Sequence, residues 1–258
     1  MGAVEDGLDP SWLARAAEED PLLHAYAVWD RLHEAARTRF VAWREGREIR
    51  AYLLVYLGFA RAPIVHWVGP SRARELLDAF PPRPVIAVVP PDLVEEVERR
   101  RGPVVRYDIE LRSRADGVPL PPEDPRARRL GPADAAALRA LVLAEPERLL
   151  AGYREIDLER TPAFGAFAGD RLVAVAKASV VLPRVWVLSG IVTAVGSRDR
   201  GFGRAVTSAA TRAAVAAGAR PGLYVRADNA PAVRLYGSLG YEVVARRTWI
   251  GAGASDPP

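Results

Sequence analysis

The stretch that most constrains this 258-residue chain is a strand, a glycine turn and a helix in immediate succession. Val185 to Val195 is an apolar, β-branched run long enough for a buried strand. The charged turn Arg198-Asp199-Arg200-Gly201-Phe202-Gly203 follows. An alanine-rich helix is predicted from about Arg204 to Ala217, with Gly218 as its C-cap glycine. The first N–H groups of a helix lack internal partners, and the helix dipole is positive there. Gly201 and Gly203 let an anion approach the backbone closely, and Arg198, Arg200 and Arg204 add positive charge. The pattern outlines a cradle for a phosphate or pyrophosphate.

Two familiar cradles do not fit. A dinucleotide turn needs a third glycine where this chain has Val206, and an acidic residue at the end of a following strand. A phosphate loop of the G-x-x-x-x-G-K-[ST] type needs a lysine, and the only lysine is Lys177. Arg198, Gly201 and Gly203 instead form R-x-x-G-x-G. Further on, Asn229, Ala232, Leu235, Tyr236, Gly240 and Tyr241 form N-x-x-A-x-x-L-Y-x-x-x-G-Y. In this order, with strand, helix, strand, helix and strand around them, the two motifs resemble those of the GNAT superfamily of N-acetyltransferases. The resemblance covers about residues 127–249.

Composition bounds the remaining classes. Half of the residues are hydrophobic, enough for a sizeable core. No cysteine is present, which removes disulfides, thiolate nucleophiles and cysteine metal sites. The net charge of +4 is spread along the chain, so nucleic-acid binding is not expected. No long uncharged apolar run suggests a membrane span, and MGAVEDGLDP does not read as a signal peptide, so a cytoplasmic protein is expected. Arg almost wholly replaces Lys, and Asn229 is the only Asn, which makes its place in the motif informative.

The chain reads as an α/β (α+β) protein in two parts. Residues 1–112 are predicted to form an N-terminal α+β domain, with two helices before Phe40, a meander of strands to Val68, a helix from Ser71, and a strand–helix–strand ending near Arg112. This order resembles a second, degenerate GNAT-like half of a tandem protein. It has no R-x-x-G-x-G turn, since Val68-Gly69-Pro70-Ser71-Arg72 has one glycine and a proline, so no acyl-CoA is expected there. Residues 113–126, with four prolines, read as a linker. Residues 127–251 are predicted as the GNAT domain, in the order β-α-α-β-β-β-α-β-α-β that the resemblance implies: a mixed central sheet flanked by helices. A helix at Asp134–Ala144, a shorter one from Pro146, and a hairpin turning at Gly169-Asp170 belong to it.

The resemblance implies direct acyl transfer from acetyl-CoA, the acyl donor, to a primary amine. The pyrophosphate loop would be Arg198, Asp199, Arg200, Gly201, Phe202, Gly203, Arg204 and Ala205. Ile191, Val192 and Thr193 would hold the pantetheine arm by their backbone, and an N–H there would polarise the thioester carbonyl. Tyr236 aligns with the general acid that protonates the leaving thiolate, and is equally readable as a core aromatic. Asn229 would bond the pantetheine arm, cap its helix, or both.

No carboxylate lies on the key strand to serve as base. Glu155, Asp157 and Glu159 sit in the connection that usually lines the acceptor pocket but read first as solvated loop charges, and Ser189 could hold a water or simply be packed in its strand. An amine of low pKa, such as a protein N-terminus, needs little base. Trp186 reads as core, and His24, His33 and His66 show no metal-ligand spacing. Two other readings stay open: an acyl-CoA-binding sensor or structural module without turnover, and nucleotide binding through the glycine turn. A homodimer, the acceptor's identity and the acyl-chain preference also stay open.

Overall fold

The computed structural model describes residues 2–59, 62–82, 84–144 and 158–252. The predicted short helix from Pro146, and Glu155 and Asp157, lie outside the described residues. In chain order the elements are β1 (Gly2–Asp6), α1 (Pro10–Glu19), α2 (Ala25–His33), β2 (Thr38–Glu45), β3 (Glu48–Tyr56), β4 (Ile64–Val68), β5 (Val85–Val89), α3 (Val94–Arg101) and β6 (Val105–Arg114). Then come β7 (Ala127–Arg129), α4 (Ala135–Ala144), β8 (Ala163–Ala168), β9 (Arg171–Val181), β10 (Val185–Thr193), α5 (Phe202–Ala216), β11 (Arg220–Arg226), α6 (Ala230–Ser238) and β12 (Tyr241–Ala252). Contacts divide the chain into two units. The first holds residues up to Leu111, with Val225–Asn229 and the chain from Val243; the second holds Arg112–Tyr224 and Ala230–Glu242.

In the first unit β1 to β4 form an antiparallel meander, β4 and β5 run parallel, and Thr248–Ala252 of β12 pairs antiparallel with Val85–Val89. Strand alternation sorts the core. Phe40, Ala42, Tyr52 and Leu54 face Leu13 and Ala27 of α1 and α2. Val41, Trp43, Leu53 and Val55 face Leu76, Leu77 and Val97. The helix predicted from Ser71 to Phe80 is a 3-10 turn, Arg74–Ala79. This turn is the crossover between the parallel strands β4 and β5, where the second unit has the helix α5. A Cβ on Gly69 would lie 2.5 Å from the Arg50 carbonyl oxygen, so that glycine serves packing against β3. β1 has no counterpart in the sequence reading. Its GAVED sequence is mostly exposed and gains its pairing only from β2.

In the second unit β7, β8, β9 and β10 are antiparallel neighbours, and β10 pairs parallel with β11. Both units thus place an antiparallel meander before one parallel pair. Leu138 and Leu141 of α4 pack on Ala163, Leu172 and Val175. Helix α5 lies along β7 to β10. After Phe202 its buried residues are Ala205, Val206, Thr207, Ser208, Ala210, Thr211 and Ala214, mostly small side chains that allow close approach to the sheet. It ends in a Schellman arrangement: Ala219 N–H donates to Ala214 O at 3.0 Å and Gly218 N–H to Val215 O at 2.9 Å. The proline-rich segment is tied to this unit. Arg114 Nη2 donates to Val118 O and Pro119 O at 2.6 and 2.7 Å, and Arg212 Nη1 to Pro121 O at 3.1 Å. Among the described residues no helix is long and apolar enough to cross a membrane.

Candidate functional site

Strand β10 keeps its parallel ladder with β11 only from Val185↔Arg220 to Leu188↔Leu223, although β10 continues to Thr193. From Ser189 onward its backbone on that side has no β11 residue opposite. The antiparallel ladder with β9 is irregular at the same place. Ser189 pairs with Lys177 and Val192 with Val175, so β10 holds one extra residue between these rungs. Gly190, at φ +55°, sits in this bulge. An earlier irregularity places the extra residue on β9, where Ser179 Oγ donates to Val187 O at 3.2 Å. β10 is therefore bent away from its neighbour by its own register.

The turn after β10 leads straight into α5. Gly201, the N-cap, takes φ 81° and ψ 0°, a left-handed conformation that a Cβ would oppose. The first helical bond is Ala205 N–H to Gly201 O, at 2.9 Å. The N–H groups of Phe202, Gly203 and Arg204 come before it in the first turn, and a glycine N-cap offers no side chain to occupy them. A Cβ on Gly203 would stand 3.1 Å from Thr193 Oγ1, so the helix start lies close against the end of β10 and a side chain there would push on Thr193. Arg198, Arg200 and Arg204 are exposed around this turn, while Phe202 and Ala205 are buried. Asp199 takes φ 59°, the one positive value outside glycine among the described residues. Backbone donors, a helix dipole and three guanidinium groups thus surround one open turn, an arrangement suited to an anion. The helix begins at Phe202, two residues before the predicted Arg204, because Gly201 ends the turn.

Helix α6 is fixed beside that turn. Arg204 Nη1 donates to Ser238 Oγ at 2.6 Å, and Ser238 Oγ donates to Leu235 O at 2.7 Å. Tyr236, one residue after Leu235, is buried, and burial pushes its hydroxyl up to about 12. It meets Tyr241 edge-on with ring centroids 6.2 Å apart. The Tyr241 hydroxyl bonds Thr211 Oγ1 at 2.8 Å, which anchors the start of β12 to α5.

The second unit thus holds Ile191, Val192, Thr193, residues 198–205 and Tyr236 together. Asn229 falls in the first unit, where its N–H donates to Arg226 O at 3.0 Å. Glu159 is exposed in the turn before β8. Trp186 is buried, in keeping with its reading as core. Two residues at this place were not singled out by the sequence reading. Arg126 Nη1 donates to Arg200 O at 3.1 Å, and its guanidinium lies 4.9 Å from the Phe202 ring centre. Lys177 lies opposite Ser189 at the bulge, and burial holds its amine down to about 8.

Comparison with known proteins gives the same fold. The FR47-like protein family model matches residues 163–250. A Drosophila protein of solved structure is similar over 96% of this chain and 98% of its own, at 16% identity and a TM-score of 0.71. A GCN5-related N-acetyltransferase-like protein from Streptococcus suis is similar over 93% and 98%, at 15% identity and a TM-score of 0.63. A tandem GNAT protein from the clavulanic acid biosynthesis pathway is similar over 99% and 100%, at 17% identity and a TM-score of 0.55. No curated protein matches the chain. The fold is that of GNAT proteins, a mixed sheet flanked by helices, and the tandem neighbour spans both units.

Proposed function

We propose that this chain of GNAT fold is an N-acetyltransferase that moves an acetyl group from acetyl-CoA directly to a primary amine, on a small molecule or a protein N-terminus. The observation that carries the reading is the juxtaposition of the Gly201–Gly203 turn at the start of α5 with the stretch of β10 that has lost its parallel neighbour. The turn suits a diphosphate. The freed side of Ile191, Val192 and Thr193 suits a ligand that pairs like a strand, as a pantetheine arm can, and an N–H there would polarise the thioester carbonyl. Tyr236 serves as general acid: its raised hydroxyl stays protonated at neutral pH and can donate to the departing sulfur. Asn229 and the arginines at 198, 200 and 204 are assigned to donor binding.

The first unit is read as a second GNAT-like half without a cradle. Among the described residues its parallel pair is joined by a 3-10 turn, Arg74–Ala79. Its role in this reading is structural.

Calorimetry with acetyl-CoA, NAD and ATP, followed by CoA release across an amine panel, tests the reading. Heat with acetyl-CoA alone and release with some amines are expected. Binding without release for every amine would favour a sensor module. A larger rise in melting temperature with NAD or ATP than with acetyl-CoA would favour nucleotide binding.

A further inference from the structure

Lys177 is the only lysine among 36 Lys and Arg residues. In β9 it lies directly across from Ala163 of β8 and from Ser189 of β10. Directly paired residues of an antiparallel ladder project to the same side of the sheet, with Cβ atoms about 5 Å apart. Ala163 packs with Leu138 and Leu141 of α4, so Lys177 and Ser189 share the face that α4 covers. Ser189 is also the first residue of β10 beyond its last rung to β11, Leu188↔Leu223. The Lys177 side chain thus starts one strand away from the gap assigned above to the reacting end of the donor.

The choice of cation is informative. A guanidinium keeps its proton at any pH a folded protein experiences, whereas a buried amine can shed it. Among its 36 Lys and Arg residues the chain holds here the one whose side chain can become a base. The flanking strands, AFGAFA in β8 and VWVLSGIVT in β10, carry no titratable side chain. Among the described residues helix α4 contributes Arg139, and the turn before β8 contributes Glu159 and Arg160, all three exposed. Burial brings the amine down to about 8, within reach of neutral pH.

Resting on the acyl-transfer reading, we propose that Lys177 is the general base that takes the proton from the acceptor ammonium. Neutral Nζ accepts that proton, and the freed lone pair forms the N–C bond to the acetyl carbon. The C–S bond breaks with its electron pair on sulfur, and sulfur takes the Tyr236 proton. The second amine proton leaves through water and restores Tyr236. Lys177 returns its proton to solvent, so one proton is released per amide formed. The step needs no carboxylate on β10, which has none.

The test uses the full chain with Lys177→Met and Lys177→Arg. Acetyl-CoA affinity by calorimetry is expected to stay within about twofold in both, since neither touches the cradle. The acceptor kcat/KM is expected to fall at least about 100-fold at pH 7 in both, the lower end for general base catalysis. The rising limb of the wild-type pH profile near pH 8 should vanish. Wild-type activity in Lys177→Arg would show that charge suffices and would overturn the proposal. Survival of the limb in Lys177→Met would do the same. A readout free of turnover comes from reductive 13C-methylation, which labels Lys177 as the one side-chain amine. Its NMR titration is expected well below the ordinary lysine value of about 10.4, and a titration at that value would overturn the proposal. A wild-type chain that neither binds nor turns over acetyl-CoA would overturn the parent reading, and is told apart because the lysine titration is measured without donor.

Discussion

Gly203 and Thr193 meet so closely that a Cβ on the glycine would stand 3.1 Å from the threonine Oγ1. The first turn of α5 is thus set against the last residue of β10. Gly203→Val adds three carbons there and is expected to weaken acetyl-CoA binding more than tenfold, above about 1.4 kcal/mol. The fold should survive, because only this turn must shift. Calorimetry gives the affinity and a thermal melt the stability. Unchanged affinity in a folded variant would count against the cradle.

Arg126 holds the same turn from 74 residues away, through Nη1 to Arg200 O at 3.1 Å and through the Phe202 ring. Its own charge is balanced by Asp124, to which Nε and Nη2 donate at 2.9 and 2.7 Å. Arg126→Ala removes a charge-assisted bond worth about 1.5–3 kcal/mol at most, less here because the group is exposed. The expected outcome is a KM for acetyl-CoA raised several-fold with kcat little changed, since the turn loosens without touching the reacting atoms. A fall in kcat at unchanged KM would contradict this role.

What could be read in the sequence follows from how local each feature is. The Gly201–Gly203 turn, its helix, the Gly218 stop and the Gly169-Asp170 hairpin are written in adjacent residues, and their boundaries fall within about two residues of expectation. Arg126 and Lys177 were not legible, because their meaning lies in partners on other elements: Arg200 across a loop, Ser189 across a ladder. The lone lysine was visible as a count, and only strand register gave it a place. Strand β1 was missed because an exposed GAVED segment has little strand signal of its own. The pairing of β12 with β5 was equally hidden, since nothing in Thr248–Ala252 names Val85–Val89 as its neighbour.

Tyr236 separates turnover from binding. Its hydroxyl is raised to about 12 by burial, so it remains protonated through the neutral range. Tyr236→Phe keeps the ring and its edge-on contact with Tyr241, so stability and acetyl-CoA affinity should hold. CoA release with the best amine is expected to fall about 100-fold. Activity equal to wild type in the phenylalanine variant would leave Tyr236 as core packing alone.

The first unit carries a pH dependence of its own, to which Asp30 contributes with one sign and His66, with the buried His24, with the other. Burial, with the charge of Glu34 adding to it, raises Asp30 to about 7, while burial lowers His66 to about 4. Asp30 binds its proton more tightly in the folded chain than in the unfolded one. Its contribution is therefore fully present below about pH 4 and is lost as pH rises through 7, a loss of about 4 kcal/mol for a shift of about three units. His66 does the reverse: folding is disfavoured as pH falls from about 6.5 through 4, because the unfolded chain then binds the extra proton. Between pH 4 and 6.5 the two slopes oppose each other. Asp30→Asn removes one of them. The variant is expected to be more stable than wild type by a few kcal/mol at pH 8, near equal to it at pH 4, and to gain stability with rising pH in between. Urea unfolding at those three pH values measures it, and a variant no more stable at pH 8 would show that Asp30 is ionised without cost in the folded chain.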